Sequence, residues 1–402
     1  MPTHNNTENQ KMPNVLFVVE NNYFPRDARV YNECLTVSEQ SANQCYVLAP
    51  RSSQQREKFH EKIGDITCIR YPSFESSSTG GLFIEYAVAA ISFFCLIPLI
   101  TFHYRIKIIH VANQPDFILP LVSWLKLFRI KFVFDHHDIA ITTFSSKVDS
   151  DKLFFKVLSP ILKAFEQFSL NLADTVIATN YSFKEYDMTI NNRLNIIVVR
   201  NSNKKQYQTI DQIHKQSSDV LQLVYFGIIG SDAASGVTNL ITLSKHLRDS
   251  TIPFKIHVIG DGPGLKALVR QVETEKMQRF FEFHGFLTIE ETFKKMIHYD
   301  FGIVTLNDSD KGHLHTAMKI MDYMCCGVPV CSLKLKEQMF STGGIGIHAK
   351  NFEDMAKKII LTFADGKRYE MLREETLKHF NDNLCWEKQA QILIDGYSRL
   401  IN

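Results

Sequence analysis

Residues 315–330 read HTAMKIMDYMCCGVPV, a helical pattern over Ala317–Cys326 that stops at Gly327 and runs into a strand over Val328–Cys331. Gly327 suits the left-handed residue that closes a helix, and Pro329 cannot continue one. The stretch is therefore a helix feeding into a short apolar strand, and the same alternation extends from it in both directions.

In the second half, strands are expected at Leu221–Phe226, Lys255–Ile259, Phe280–Phe283, Phe301–Thr305 and Gly346–His348. Helical patterns fall between them at Val237–Arg248, Leu265–Lys276, Ile289–His298 and Phe352–Ala364, and Trp386–Ile401 closes the chain as an amphipathic helix. In the first half the strand candidates are Val15–Val19, Tyr46–Ala49, Thr67–Arg70, Ile108–Val111, Phe132–Phe134, Thr175–Ala178 and Ile196–Val199, with a long helix over Asp151–Ala173. Continuous apolar runs, in place of strict alternation, fit strands covered on both faces. Strand–helix–strand order then predicts an α/β fold of two Rossmann-like, doubly wound parallel-sheet domains. Residues 1–200 form the first domain. The polar stretch NSNKKQYQTIDQIHKQSSD (201–219) is read as a linker, 220–380 as the second domain, and 381–402 as a helix packing back on the first. Ligands are expected in a cleft at the carboxyl ends of the strands.

The bulk numbers agree. A length of 402 residues suits two domains, and 45% hydrophobic with 22% charged residues is a globular composition. The net charge is +2, and 20 basic against 19 acidic residues in positions 1–200 leave neither half basic. Nucleic-acid binding is therefore not expected. The eight cysteines are scattered, without paired CxxC spacing, which suits a reducing compartment and gives no metal site. The start, MPTHNNTENQK, lacks the apolar core of a signal peptide, so a cytoplasmic protein is expected. One segment complicates this. Tyr86–Phe102 carries no charge, but it is short for a membrane span and contains Pro98. A covered helix and a helix dipping into a membrane surface both remain open.

Chemistry is expected first at the 315–330 stretch. Thr316 can cap the helix, leaving first-turn amides such as that of Ala317 as a diphosphate site. Lys319 would add a full positive charge, and Asp322 would accept hydrogen bonds from ribose hydroxyls. An ordinary helix with solvated Lys and Asp is the plain alternative. His136 and His137 follow a strand, so at least one should point into the cleft, a core or capping pair being the alternative. Asp27 and Arg29 open a helix, where a local ion pair competes with a ligand contact. The GDGPG run at Gly260 only loosely resembles a dinucleotide fingerprint.

The segment resembles the donor-binding helix of the group 1 retaining glycosyltransferases (family 4, GT-B fold), typically K-[IL]-x-E-Y-M-x-x-G-x-P-V. Lys319, Ile320, Asp322, Tyr323, Met324, Gly327, Pro329 and Val330 fit it, with Asp322 in place of Glu. Leu314 stands where many relatives carry a second Glu. NVLFVVENNYFPRDARVYNE resembles the first strand and loop, with Pro25, Asp27, Arg29 and Val30 in pattern, and VFDHHDI places His137 at the cleft histidine. ADTVIATN, VVRNS, VIGDGP, HGFLTIEE and WEKQAQILIDGYSRL agree in order, so the similarity spans nearly the whole chain. One departure stands out: the glycine-rich loop FGIIGSDAASGV (226–237) has no Arg or Lys where the family usually places a basic residue.

The resemblance implies sugar transfer from a UDP- or GDP-linked nucleotide sugar to a glycan or lipid-linked acceptor, with retention and with neither metal nor cofactor. It implies cell-surface polysaccharide or lipopolysaccharide synthesis at the inner face of the cytoplasmic membrane. It assigns His137, Lys319 and Asp322 to catalysis. Gly227, Gly230, Gly260, His284, Thr316 and Ala317 go to the donor, and Asp27 and Arg29 to the acceptor side. A catalytically degenerate binding subunit and a sugar-nucleotide epimerase of the same plan are the alternatives, with an NAD-linked dehydrogenase a distant third.

Overall fold

The computed structural model describes residues 13–40, 44–52, 57–73, 79–141, 153–208, 219–230 and 236–401. They divide into two compact units. The first holds the described residues up to Thr179, then Phe183–Val199 and Ala390 onward; the second holds Asn180–Ser182 and Arg200–Gln389.

The first unit is an eight-stranded sheet in the order β3-β4-β2-β1-β5-β6-β7-β8. Its strands are β1 (Val15–Val18), β2 (Cys45–Arg51), β3 (His60–Ile63), β4 (Ile66–Pro72), β5 (Ile108–Ala112), β6 (Lys131–His136), β7 (Thr175–Ala178) and β8 (Ile196–Val198). Every pairing is parallel except β3 with β4. Of that edge hairpin, β4 contains the expected strand Thr67–Arg70, while β3 lies outside the expected set, because HEKI is polar and not buried. Strands β1, β5 and β7 are buried along their whole length, as their unbroken apolar runs require. The chain leaves β1 for β2 on one side and returns through β5 on the other. The carboxyl ends of β1 and β5 therefore form a switch point.

The second unit is a six-stranded, all-parallel sheet in the order β11-β10-β9-β12-β13-β14. Its strands are β9 (Leu221–Phe226), β10 (Phe254–Ile259), β11 (Phe281–Gly285), β12 (Phe301–Ile303), β13 (Val330–Leu333) and β14 (Ile347–Ala349). Its switch point lies between β9 and β12. Apolar clusters cover both faces, one around Leu223, Tyr225 and Ile256, the other around Val224, Ile320 and Met324.

Of the expected linker, residues 201–208 belong to the second unit, where the Trp386 amide donates to the Asn203 carbonyl (2.8 Å). Residues 209–218 lie outside the described residues. The closing helix, Trp386–Ile401, belongs to the first unit from Ala390 onward, and an added Cβ at Gly396 would stand 2.6 Å from the Ile197 Cδ1.

Candidate functional site

In the second unit the loop after β9, which borders the switch point, is held by close backbone approach from the end of β10. The Gly227 amide donates to the Ile259 carbonyl (3.0 Å), and the Ile229 amide to that of Asp261 (2.9 Å). Gly260, at φ +138°, lies so close that a Cβ would sit 2.0 Å from the Gly227 oxygen. At Gly264 a Cβ would sit 2.1 Å from the Gly230 oxygen. The glycines after β10 thus press on the loop after β9, and Gly260 serves that packing. Gly236 closes the far end of the same loop against the Thr305 carbonyl beyond β12. Residues 231–235 of this loop lie outside the described residues.

Lys319 reaches into this junction. Its Nζ lies 3.5 Å from the centroid of the Tyr225 ring on β9, and its Cε and Nζ are the atoms an added Cβ at Gly227 would meet, at 3.7 Å. Burial pushes its ammonium down to about 7, against the opposing pull of Asp322. Asp322 is itself pushed up to about 6 by burial, despite accepting a hydrogen bond from the Asn203 amide (2.8 Å) and facing Lys319. Tyr323 is the frame. Its hydroxyl accepts from the Phe226 amide (3.0 Å) and lies 3.2 Å from the Val224 carbonyl and 3.3 Å from that of Ile303, tying β9 to β12.

The start of this helix differs from the sequence expectation. The helix runs Lys319–Cys325, with Met318 at the cap position and no side-chain cap. Thr316 donates to Glu337 Oε1 (3.2 Å), and the Ala317 amide donates to Gln338 Oε1 (3.4 Å). The amide meant for a diphosphate is therefore already taken. The reason is a buried hub that the motif did not reveal. Glu337 accepts from Arg200 Nη1 (2.8 Å), Ser341 (2.8 Å) and the Ser182 amide (3.0 Å), while Gln338 Nε2 donates to the carbonyls of Gly312 and His315. Gly327 does close the helix, at φ +65°, as its position required.

His284 also has other company. It stacks on His257, with Nε2 3.0 Å from His257 Nδ1, and Glu282 stands within 3.6 Å. By geometry this trio could hold a metal ion, and so could the fully buried Glu33, His110 and Asp135. The sequence pointed to neither, because each set is assembled from elements distant in sequence: β10 and β11 for the first, the helix Ala28–Gln40 with β5 and β6 for the second.

In the first unit the histidines separate. His136 is buried between Asp187 (2.7 Å) and Glu166 (3.2 Å); burial opposes its charge, but these hydrogen bonds push it up to about 10. His137 is 16% exposed, with Nδ1 3.4 Å from Asp135 Oδ2 and its amide donating to Asn113 (2.9 Å). Asp135 takes a bidentate grip from Arg29, at 2.8 and 2.6 Å, and that guanidinium outweighs burial to hold the carboxyl far below the usual range. Arg29 also donates to the Val199 carbonyl (2.9 Å) and lies 3.3 Å from Glu33. Asp27 caps the helix Ala28–Gln40, accepting from the amides of Arg29 (3.0 Å) and Val30 (3.1 Å). The expected acceptor-side pair is thus a helix cap and a buried ion pair. Arg29's partner lies on β6, not beside it in sequence.

Two doubly wound parallel-sheet units, each with a strand switch point, define the class as a pair of Rossmann-like domains, a plan whose ligands bind beyond the carboxyl ends of the strands. Residues 221–365 match the family model described as glycosyl transferases group 1. The chain is similar to the chitobiosyldiphosphodolichol beta-mannosyltransferase of Debaryomyces hansenii, at 21% identity over 81% of this chain and 76% of that one. Among solved structures it resembles sucrose-phosphate synthase from Thermosynechococcus elongatus (TM-score 0.73, 12% identity, 96% of this chain and 98% of that one). It also resembles Anabaena HepE in complex with UDP (TM-score 0.66, 14% identity, 96% and 99%). The protein has the GT-B fold, and residues 221–365 form a group 1 glycosyltransferase domain.

Proposed function

We propose that the enzyme transfers a sugar from a UDP- or GDP-linked donor to a hydroxyl of a glycan or lipid-linked glycan, with retention and without a metal ion, in cell-surface polysaccharide or lipopolysaccharide assembly. The observation that carries this reading is Lys319, a partly buried cation beside Gly227 at the switch point, whose charge burial disfavours. A pyrophosphate adds negative charge to that of Asp322, whose pull alone does not offset the burial of the ammonium. The leaving diphosphate gains negative charge as the glycosidic bond breaks, so a fixed ammonium stabilises the transition state more than the ground state. The bare loop at Gly227 and Gly230 lets phosphate oxygens approach backbone. Asp322 keeps one carboxylate oxygen beyond its bond to Asn203 for a ribose hydroxyl. His137, the partly exposed histidine, is assigned to the transferred sugar or the attacking hydroxyl. Two relatives support the classes of ligand: HepE was solved with UDP-glucose, and the Debaryomyces enzyme is named for a dolichol-linked glycan.

A melting-temperature panel of UDP- and GDP-sugars on the purified protein tests the donor, since a ligand of the native state raises the transition. Transfer or hydrolysis of that donor should be lost in Lys319→Ala and His137→Ala. No stabilisation by any nucleotide sugar would overturn the reading. The loop at 226–237, with no Arg or Lys, favours a second reading, a binding subunit without turnover. Stabilisation by a donor that is never consumed would select it.

A further inference from the structure

The helix Thr79–His103 is apolar all round but covered on only one side. At about 100° per residue, Ala89, Phe93, Ile97 and Ile100 share an arc of about 80° and are buried, with Phe93 against Tyr71 of β4 (5.0 Å). Ile84, Ile91, Leu99 and Phe102 occupy the opposite arc and are exposed, Ile91 by 67% and Leu99 by 65%. Only 28% of its most apolar stretch, Ile84–His103, is buried. The sequence allowed a fully covered helix; the structure leaves the outer half bare, and Pro98 sits inside a continuous helix.

Two neighbours extend the bare face. Phe128, next to the 83%-exposed Leu127, meets Phe102 edge-on at 5.1 Å and Trp124 at 6.0 Å. The helix Leu153–Leu172 also turns apolar side chains outward, although Leu170 is buried. Glu166 and Ser169 are buried, while Val157, Ile161, Phe165 and Phe168 form one exposed stripe. Phe117 bridges the two helices, 6.2 Å from Tyr86 and 6.3 Å from Phe165. The charges around this face are one-sided. Residues 84–107, 123–131 and 155–174 carry seven Lys and Arg against two Glu and one Asp; Glu166 is buried beside His136, and Asp174 pairs with Lys126 (3.2 Å) and Lys131 (3.7 Å), which leaves Arg105, Lys107, Arg129, Lys156 and Lys163 as the exposed basic residues.

We propose that this face of the first unit docks into the interfacial region of an anionic lipid bilayer, as a monotopic surface. An apolar face ringed by basic residues complements acyl chains below anionic headgroups. A second copy of the same face would bring like charges together. The helix is long enough to span a bilayer, but spanning would strip Phe93, Ile97 and Ile100 from the core, so it lies in the membrane plane. The surface suits the lipid-linked acceptor proposed above, but it rests on none of the sugar chemistry.

The chain's two tryptophans make the test direct, because Trp124 is 38% exposed on this face and Trp386 is only 4% exposed. The full chain is floated with vesicles of brominated phosphatidylcholine and phosphatidylglycerol, with neither donor nor acceptor present. Co-flotation with quenching of the exposed tryptophan is expected. Leu99→Asp with Leu127→Asp should weaken co-flotation by about tenfold or more while circular dichroism and melting temperature stay unchanged. Arg105→Glu with Arg129→Glu should weaken binding to these vesicles but not to pure phosphatidylcholine ones. Protein that stays in the aqueous fraction, or binds without tryptophan quenching, overturns the proposal. So does a concentration-dependent dimer that the leucine variant abolishes, without vesicle binding. Failure to bind any nucleotide sugar would leave this result intact, so the two readings fail separately.

Discussion

Raising the pH should loosen the donor through one residue. Burial holds Lys319 at about 7 in the free protein, so it loses its proton as pH rises through that value. A bound pyrophosphate raises that pKa, so affinity is complete below about pH 7 and falls about tenfold per unit above it. Between about pH 6.5 and 8.5 the protonated fraction drops about 25-fold, which sets the expected weakening at about 2 kcal/mol. UDP-glucose is the right probe, because its esterified pyrophosphate does not itself titrate in this window. Asp322, at about 6, ionises below most of it. Calorimetric titration at several pH values should show the slope in the wild type. Lys319→Arg should bind with no slope, since a guanidinium stays charged, and Lys319→Met should bind weakly and flatly. A wild-type affinity that does not change across this range would refute the assignment of Lys319 to the phosphates.

Further outcomes follow from other contacts. Asp135→Asn removes the bidentate partner of buried Arg29, leaving Glu33 at 3.3 Å as the nearest carboxyl, and should cost about 3 kcal/mol in urea unfolding. His136 has its pKa raised to about 10, above the unfolded value, so its stabilisation is complete below about 6.5 and lost as pH climbs through about 10. Melting temperature should therefore fall over that range, and less steeply in His136→Gln. Gly260→Ala would drive a methyl into the Gly227 carbonyl, so UDP-glucose binding should be lost with the fold retained.

The sheets were legible because their strands are buried on both faces and carry unbroken apolar runs. The hairpin strand His60–Ile63 was not, since an exposed polar edge has no such signature. The helix end at Gly327 was legible from cap chemistry because it is a local feature, and Lys319 lies beside Gly227. The partners of Thr316, Ala317 and His284, namely Glu337, Gln338 and His257, were not legible because they come from other elements. Arg29 shows the same limit, with Asp135 106 residues away. A hint was available in the charged residue inside the apolar run FVFDHH, for a buried Asp requires a buried cation. The exposed side of Thr79–His103 was illegible for the opposite reason: a helix apolar all round does not say which face is covered.

The most direct measurement is a crystal structure of the enzyme with UDP bound. Lys319 Nζ should leave the Tyr225 ring for hydrogen-bond distance of the β-phosphate, with the diphosphate lying over Gly227. A diphosphate bound elsewhere, with Lys319 still over Tyr225, would contradict the assignment.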